Sequence, residues 1–142
     1  MSKEKKFQFE IIEHTADIGI QIRGKTLEEV FAAAAYGMFS LIVDMEDVEE
    51  REEKEIQISS SDRESLLVEW LNEFIYLFDV EKMIFRRFDF SHLDDTSLHA
   101  FAFGERLDPK RHKVKLGIKA ATYHMLKVEK EDGYVARVIF DI

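Results

Sequence analysis

In "DIGIQI", Ile18, Ile20 and Ile22 alternate with Gly19 and Gln21, the two-residue period of a half-buried strand. "FQFEII" just before it predicts the partner strand, with "EHTA" between them. After Gly24 the period lengthens. Leu27, Val30, Phe31, Ala34, Met38, Leu41 and Ile42 recur at helical spacing behind a Thr26/Glu29 capping-box pattern, so a helix is expected from about Thr26 to Ile42. Its alanine-rich middle suits close approach to a sheet. The acidic run from Glu46 to Glu55 holds no apolar repeat and reads as a solvated loop leading into a short strand at "EIQIS". Ser61 and Glu64 repeat the capping-box pattern. Leu67, Trp70, Leu71, Phe74 and Phe78 then make the apolar stripe of a second helix, from about Asp62 to Asp79.

Beyond that helix the pattern is mostly strand. "MIFRRFDF" and "SLHAFAF" flank Asp94-Asp95 as a hairpin. "LDPKRHK", with the only proline, Pro109, reads as a loop, and Val114, Leu116 and Ile118 alternating with Lys113, Lys115 and Gly117 predict another strand. "TYHMLKVEK" and "YVARVIFDI" flank Asp132-Gly133, the strongest short hairpin signal in the chain. Helices toward the front and strands toward the back predict an α+β fold. We expect one domain, residues 1–142, with two amphipathic helices packed on a largely antiparallel or mixed sheet that contains both terminal strands.

The chain has 142 residues, 46% of them hydrophobic, enough to bury the core of one such domain. It lacks a long uncharged apolar run, and "MSKEKKFQF" meets Gln8 and Glu10 before a signal-like region develops. A cytoplasmic protein with no membrane partner is expected. The absence of cysteine excludes disulfides and thiolate chemistry, leaving oxygen or imidazole ligands for any metal. A net charge of -9 argues against independent tight binding to nucleic acid, so any RNA would be held by another molecule. Gly-rich phosphate loops, nucleophile elbows and zincin helices are missing, and with them the common NTPase and hydrolase signatures. Lys113, Lys115 and Lys119, with Arg111 nearby, read as a solvated basic face, the alternative being a phosphate contact.

The remaining candidate chemistry is carboxylate. With a two-residue Asp132-Gly133 loop, Leu126 faces Ile139 and His124 faces Asp141; a three-residue loop sets Tyr123 against Asp141 instead. Asp141 adjoins the α-carboxylate of Ile142, which with a pKa of about 3.5 is ionised at neutral pH. Two such anions repel unless water or a hard cation separates them. Asp17 is the third candidate, although spacing alone does not join it to Asp141. The plain alternatives are a turn aspartate capping its own backbone at Asp17 and a solvated chain-end residue at Asp141. His14 reads as a ligand, a proton carrier or a polar turn residue. His92, His99 and His112 show no partner pattern and receive no role.

The boxes "HTAD" at His14 to Asp17 and "KAATYH" at Lys119 to His124, the closing "FDI", and "TLEEVFAAAAYGMFSLIVD" and "LLVEWLNEFIYLFD" between them resemble the archease family over nearly the whole chain. The resemblance implies a non-catalytic activator of RtcB-type RNA-splicing ligases, which join tRNA exon halves bearing a 2′,3′-cyclic phosphate and a 5′-hydroxyl. Archeases promote the guanylylated ligase and its multiple turnover. A metal site of Asp17, Asp141 and the terminal carboxylate of Ile142 is implied as well, with His14, Lys119 and His124 as supporting or functional neighbours. Oxygen-only ligation favours calcium, or magnesium, over zinc; manganese enters if His14 or His124 takes part. RNA would be reached only through the ligase, and the acidic charge would suit a basic protein partner. Two other readings stay open. One is a stand-alone metal-dependent hydrolase or nuclease in which Asp17 and Asp141 hold a water-activating metal. The other is a chaperone-like modulator of RNA-modifying enzymes, which would need an exposed apolar patch.

Overall fold

The computed structural model describes residues 7–13 and 17–142. The order is β1 (Gln8–Glu13), β2 (Asp17–Gly24), α1 (Leu27–Ile42), a 3-10 turn (Met45–Asp47), β3 (Glu52–Ser59), α2 (Arg63–Glu81), β4 (Met83–Leu93), β5 (Ser97–Arg106), β6 (Ala120–Lys130) and β7 (Tyr134–Asp141). The strands form two antiparallel sheets, β1-β2-β7-β6 and β3-β5-β4. Both terminal strands lie in the first. Helix α1 packs against β2 and β4, and α2 against β6, β3 and β4, so the helices join the two sheets. α1 is accordingly buried on nearly every side, and the small side chains from Ala32 to Ala35 let strands approach it closely.

The first capping box forms in a shifted version. Thr26 Oγ1 accepts from the Glu29 amide at 3.1 Å, and Glu29 Oε1 accepts from the Lys25 amide at 2.9 Å. At α2 the cap is Asp62 and not Ser61: its Oδ1 accepts from the Ser65 amide at 2.7 Å. A carboxylate outcompetes the neighbouring hydroxyl because it also meets the positive end of the helix dipole. Between the helices and sheets, Trp70, Phe31, Phe39, Phe74 and Phe85 are fully buried. Trp70 stands edge-on to Phe74 with centroids 4.6 Å apart, and its Nε1–H donates to the Phe31 carbonyl at 2.9 Å.

Of the two loop lengths open for the last hairpin, the structure has the three-residue one. Lys130 pairs with Tyr134, leaving a three-residue loop of Glu131, Asp132 and Gly133 in which Asp132 and Gly133 have φ of 49° and 104°. Both conformations suit Asp and Gly. The register then shifts: β6 advances from Thr122 to Lys127 while β7 advances only from Arg137 to Ile139. The extra residues bulge outward through Met125, at φ 53°, whose carbonyl accepts from Arg137 Nε at 2.9 Å. Ala120 therefore opposes Asp141, and neither His124 nor Tyr123 does.

The strand expected at Val114, Leu116 and Ile118 is also absent: Val114 makes an isolated bridge to Val43, and the Lys115 amide donates to the Ile42 carbonyl. This segment is tied to the end of α1 and to a buried polar cluster. Within that cluster Glu105 accepts from Arg111 Nη2 at 2.6 Å, from the Glu49 amide at 2.9 Å and from His112 Nε2 at 2.9 Å, and pairs with Arg51 Nε at 3.2 Å. His112 Nδ1 accepts from the Asp108 amide at 2.8 Å, which fixes the neutral tautomer with its proton on Nε2. The period-2 pattern does not yield a strand here, because the segment bridges to the end of α1 at Val43 and Ile42 instead of pairing along a sheet edge.

Candidate metal centre

Asp17 opens β2 and Asp141 closes β7, and the antiparallel register sets them directly opposite each other. Opposed side chains share a face, with Cβ atoms about 5 Å apart. The next row on that face is Gly19 beside Ile139. A Cβ at Gly19 would fall 2.6 Å from Ile139 Cδ1, so the glycine lets a buried isoleucine lie across the strand and form an apolar wall beside the carboxylates. On the far side of β7, Ala120 faces Asp141 and the Lys119 amide donates to the Asp141 carbonyl at 2.8 Å. The Ile142 side chain packs against the core. The strand end is thus held by backbone bonds and apolar contact, leaving the carboxylate of Asp141 exposed.

Asp17 supplies a further sign. Its Oδ1 is buried and has no hydrogen-bond partner among the described residues. A buried carboxylate oxygen without a donor is costly, and a cation removes that cost. Among the described residues no third His, Asp, Glu or Cys side chain joins the pair. All-oxygen ligation suits a hard divalent ion, with water or a partner's oxygens completing the shell.

Of the neighbours expected to help, Lys119 sits at the site through its backbone, with an exposed side chain. His124 is exposed on the β6 bulge, away from the Asp141 row. His14 lies outside the described residues. Sequence reasoning missed Asn72. From α2 its Oδ1 accepts from the Ala121 amide at 2.8 Å and its Nδ2 reaches the Ala121 carbonyl at 3.4 Å, pairing with the open edge of β6 next to Ala120. An asparagine on the rim of an apolar helical stripe was the available signal.

Helices joining two antiparallel sheets, with β2 and β7 paired and a carboxylate couple where they meet, define a small single-domain α+β protein. The chain belongs to the archease protein family, whose profile matches residues 9–142. "Protein archease" of Methanosarcina mazei is 42% identical over 146 residues, 99% of each chain. That of Pyrococcus abyssi is 42% identical over 141 residues, 95% of this chain and 99% of its own. The solution structure of Methanobacterium thermoautotrophicum protein 1598 matches with a TM-score of 0.81 at 39% identity, covering 94% of this chain and 98% of that one. The crystal structure of a Thermotoga maritima protein, described as an archease and possible chaperone, matches with a TM-score of 0.64 at 26% identity over 92% and 94% of the two chains. No helix among the described residues is long and apolar enough to cross a membrane.

Proposed function

We propose that this archease-family protein is a non-catalytic cofactor of an RtcB-type RNA-splicing ligase, working in the cytoplasm with a divalent cation held by Asp17, Asp141 and the terminal carboxylate of Ile142. The ligase role is what the resemblance to the archease family implies, and the chain is a member of that family. The observation that carries the metal is the unpartnered, buried Asp17 Oδ1 opposite Asp141. Calcium is favoured, with magnesium or manganese as alternatives, because the available ligands are oxygens. When bound, the ion supplies concentrated positive charge that can order carboxylate or phosphate oxygens of the partner. The chain's own residues hold that charge at a fixed strand end, walled by Ile139. The overall charge of -9 favours encounter with a basic ligase and disfavours direct capture of RNA. Exposed Tyr123 and Met125 on the neighbouring β6 bulge offer apolar contact, the observation that favours a chaperone-like modulator as a second reading.

The test is ligation of broken tRNA halves with manganese, GTP and a cognate ligase. The wild-type chain should convert single to multiple turnover and raise the guanylylated fraction of ligase, and Asp17→Ala should lose most of that effect. An unchanged turnover number with wild-type chain defeats the proposal. RNA cleavage by the pure chain, abolished by Asp17→Ala, replaces it with the nuclease reading.

A further inference from the structure

The β3-β5-β4 sheet turns one face to the helices and the other to solvent. On the solvent face the central strand β5 carries His99, Phe101 and Phe103, half-buried rings that alternate with the buried Leu98, Ala100 and Ala102. The register places Glu53 and Arg87 on either side of Phe103, and Glu55 and Asp89 on either side of Phe101. In the Phe103 row the Arg87 guanidinium lies over the ring, 3.8 Å from its centroid. Its Nε donates to Glu50 Oε1 at 2.8 Å and its Nη1 to Asp89 Oδ2. This face therefore already holds one guanidinium, by a ring face and two carboxylates.

In the Phe101 row a ring again lies between two acidic residues, and the His99 imidazole packs against it with centroids 5.2 Å apart. Among the described residues no Lys or Arg stacks on Phe101. Glu55 engages His99 at 2.6 Å and Gln57 at 3.2 Å through Oε2 alone, and Asp89 engages Arg87 through Oδ2 alone. Glu55 Oε1 and Asp89 Oδ1 remain without partners among the described residues, one on each side of the ring. We propose that this face binds an arginine side chain of a protein partner, its guanidinium stacked on Phe101 between Glu55 and Asp89. Glu50, Glu53, Glu55 and Asp89 outnumber Arg87 and the Arg86 that also pairs with Glu50, so the local field attracts an arginine-rich segment and repels nucleic-acid phosphates. Lysine would match the charge but not the planar stacking or the two-point hydrogen bonding. The face belongs to the other sheet from Asp17 and Asp141, so a segment docked here leaves the carboxylate pair uncovered.

The experiment is an NMR titration of the isotope-labelled full chain with an Arg-Gly-Gly repeat peptide, its Lys-Gly-Gly counterpart and a single-stranded RNA of similar length. The arginine peptide should shift the amides of Glu55, Asp89 and Phe101, with the lysine peptide about tenfold weaker. Phe101→Leu, which keeps the apolar bulk and removes the ring, should weaken the arginine peptide by about tenfold as well. Glu55→Gln should weaken it in a spectrum that is otherwise unchanged. Equal binding of the two peptides, full binding to a folded Phe101→Leu chain, shifts confined to other faces, or RNA moving these amides in place of the arginine peptide would each overturn the proposal.

Discussion

At the scale of single residues, Trp70 is the largest fully buried side chain of the core. It is fully buried, touches Phe31, Phe74, Phe88 and Phe90, and gives its one polar proton to the Phe31 carbonyl. Trp70→Ala should cost roughly 3 to 5 kcal/mol through the cavity it leaves. A chemical-denaturation midpoint within error of wild type would contradict that assignment. Glu105 sets a pH dependence of definite sign. Burial raises its pKa, but the Arg111 guanidinium, the Glu49 amide and His112 together hold it below the ordinary 4.5. A folded value below the unfolded one means that its stabilisation is present above pH 4.5 and is lost as the pH falls through the folded value. Glu105→Gln should therefore lower stability at pH 7 by about 1–3 kcal/mol. The variant should also lose less stability than wild type on acidification below pH 4.5. Parallel melting-temperature curves for the two proteins against pH would refute this.

At the scale of elements, both helices were readable because their apolar positions recur at 3.6-residue spacing and their caps are short local motifs. Periodicity reports which face of a segment is buried, but not what covers it, so the division of the strands into two sheets was not readable. The last hairpin illustrates the same limit. Asp132-Gly133 marks the turn, but the bulge through Met125 is accompanied by Arg137 gripping the Met125 carbonyl across the strands, a contact no local pattern encodes. The turn signal alone leaves His124 or Tyr123 opposite Asp141, where Ala120 stands. Asp17 and Asp141 were each legible as lone carboxylates in apolar segments; their apposition needed the β2-β7 register. Asn72 performs an element-scale task by closing the exposed edge of β6. Asn72→Ala leaves the Ala121 amide without a partner and should cost about 1–3 kcal/mol. Hydrogen exchange should accelerate at Ala121 well beyond the change at Val138 in the middle of the sheet. Equal acceleration at both amides would show that Asn72 acts only on global stability.

At the scale of the whole molecule, β7 lies between β2 and β6, so the final residues of the sequence are fixed by the same sheet that holds the first hairpin. Ile142 packs against the core and the Asp141 carbonyl accepts from Lys119, so the position of the terminus does not depend on its charge. Adding residues after Ile142 would turn its α-carboxylate into a neutral amide while leaving the β2-β7 pairing in place. Stability without metal should then change little, and calcium affinity should fall by about tenfold or more, the scale on which loss of a supporting interaction weakens a metal site. Asp141→Ala should behave alike, because it removes another proposed carboxylate ligand without disturbing the backbone bond to Lys119. Ile142→Val, which keeps both the carboxylate and an apolar side chain, should retain metal binding and ligase activation. Calorimetric calcium titration paired with multiple-turnover ligation separates the cases. Wild-type affinity and full activation in the C-terminally extended chain would remove Ile142 from the proposed metal site.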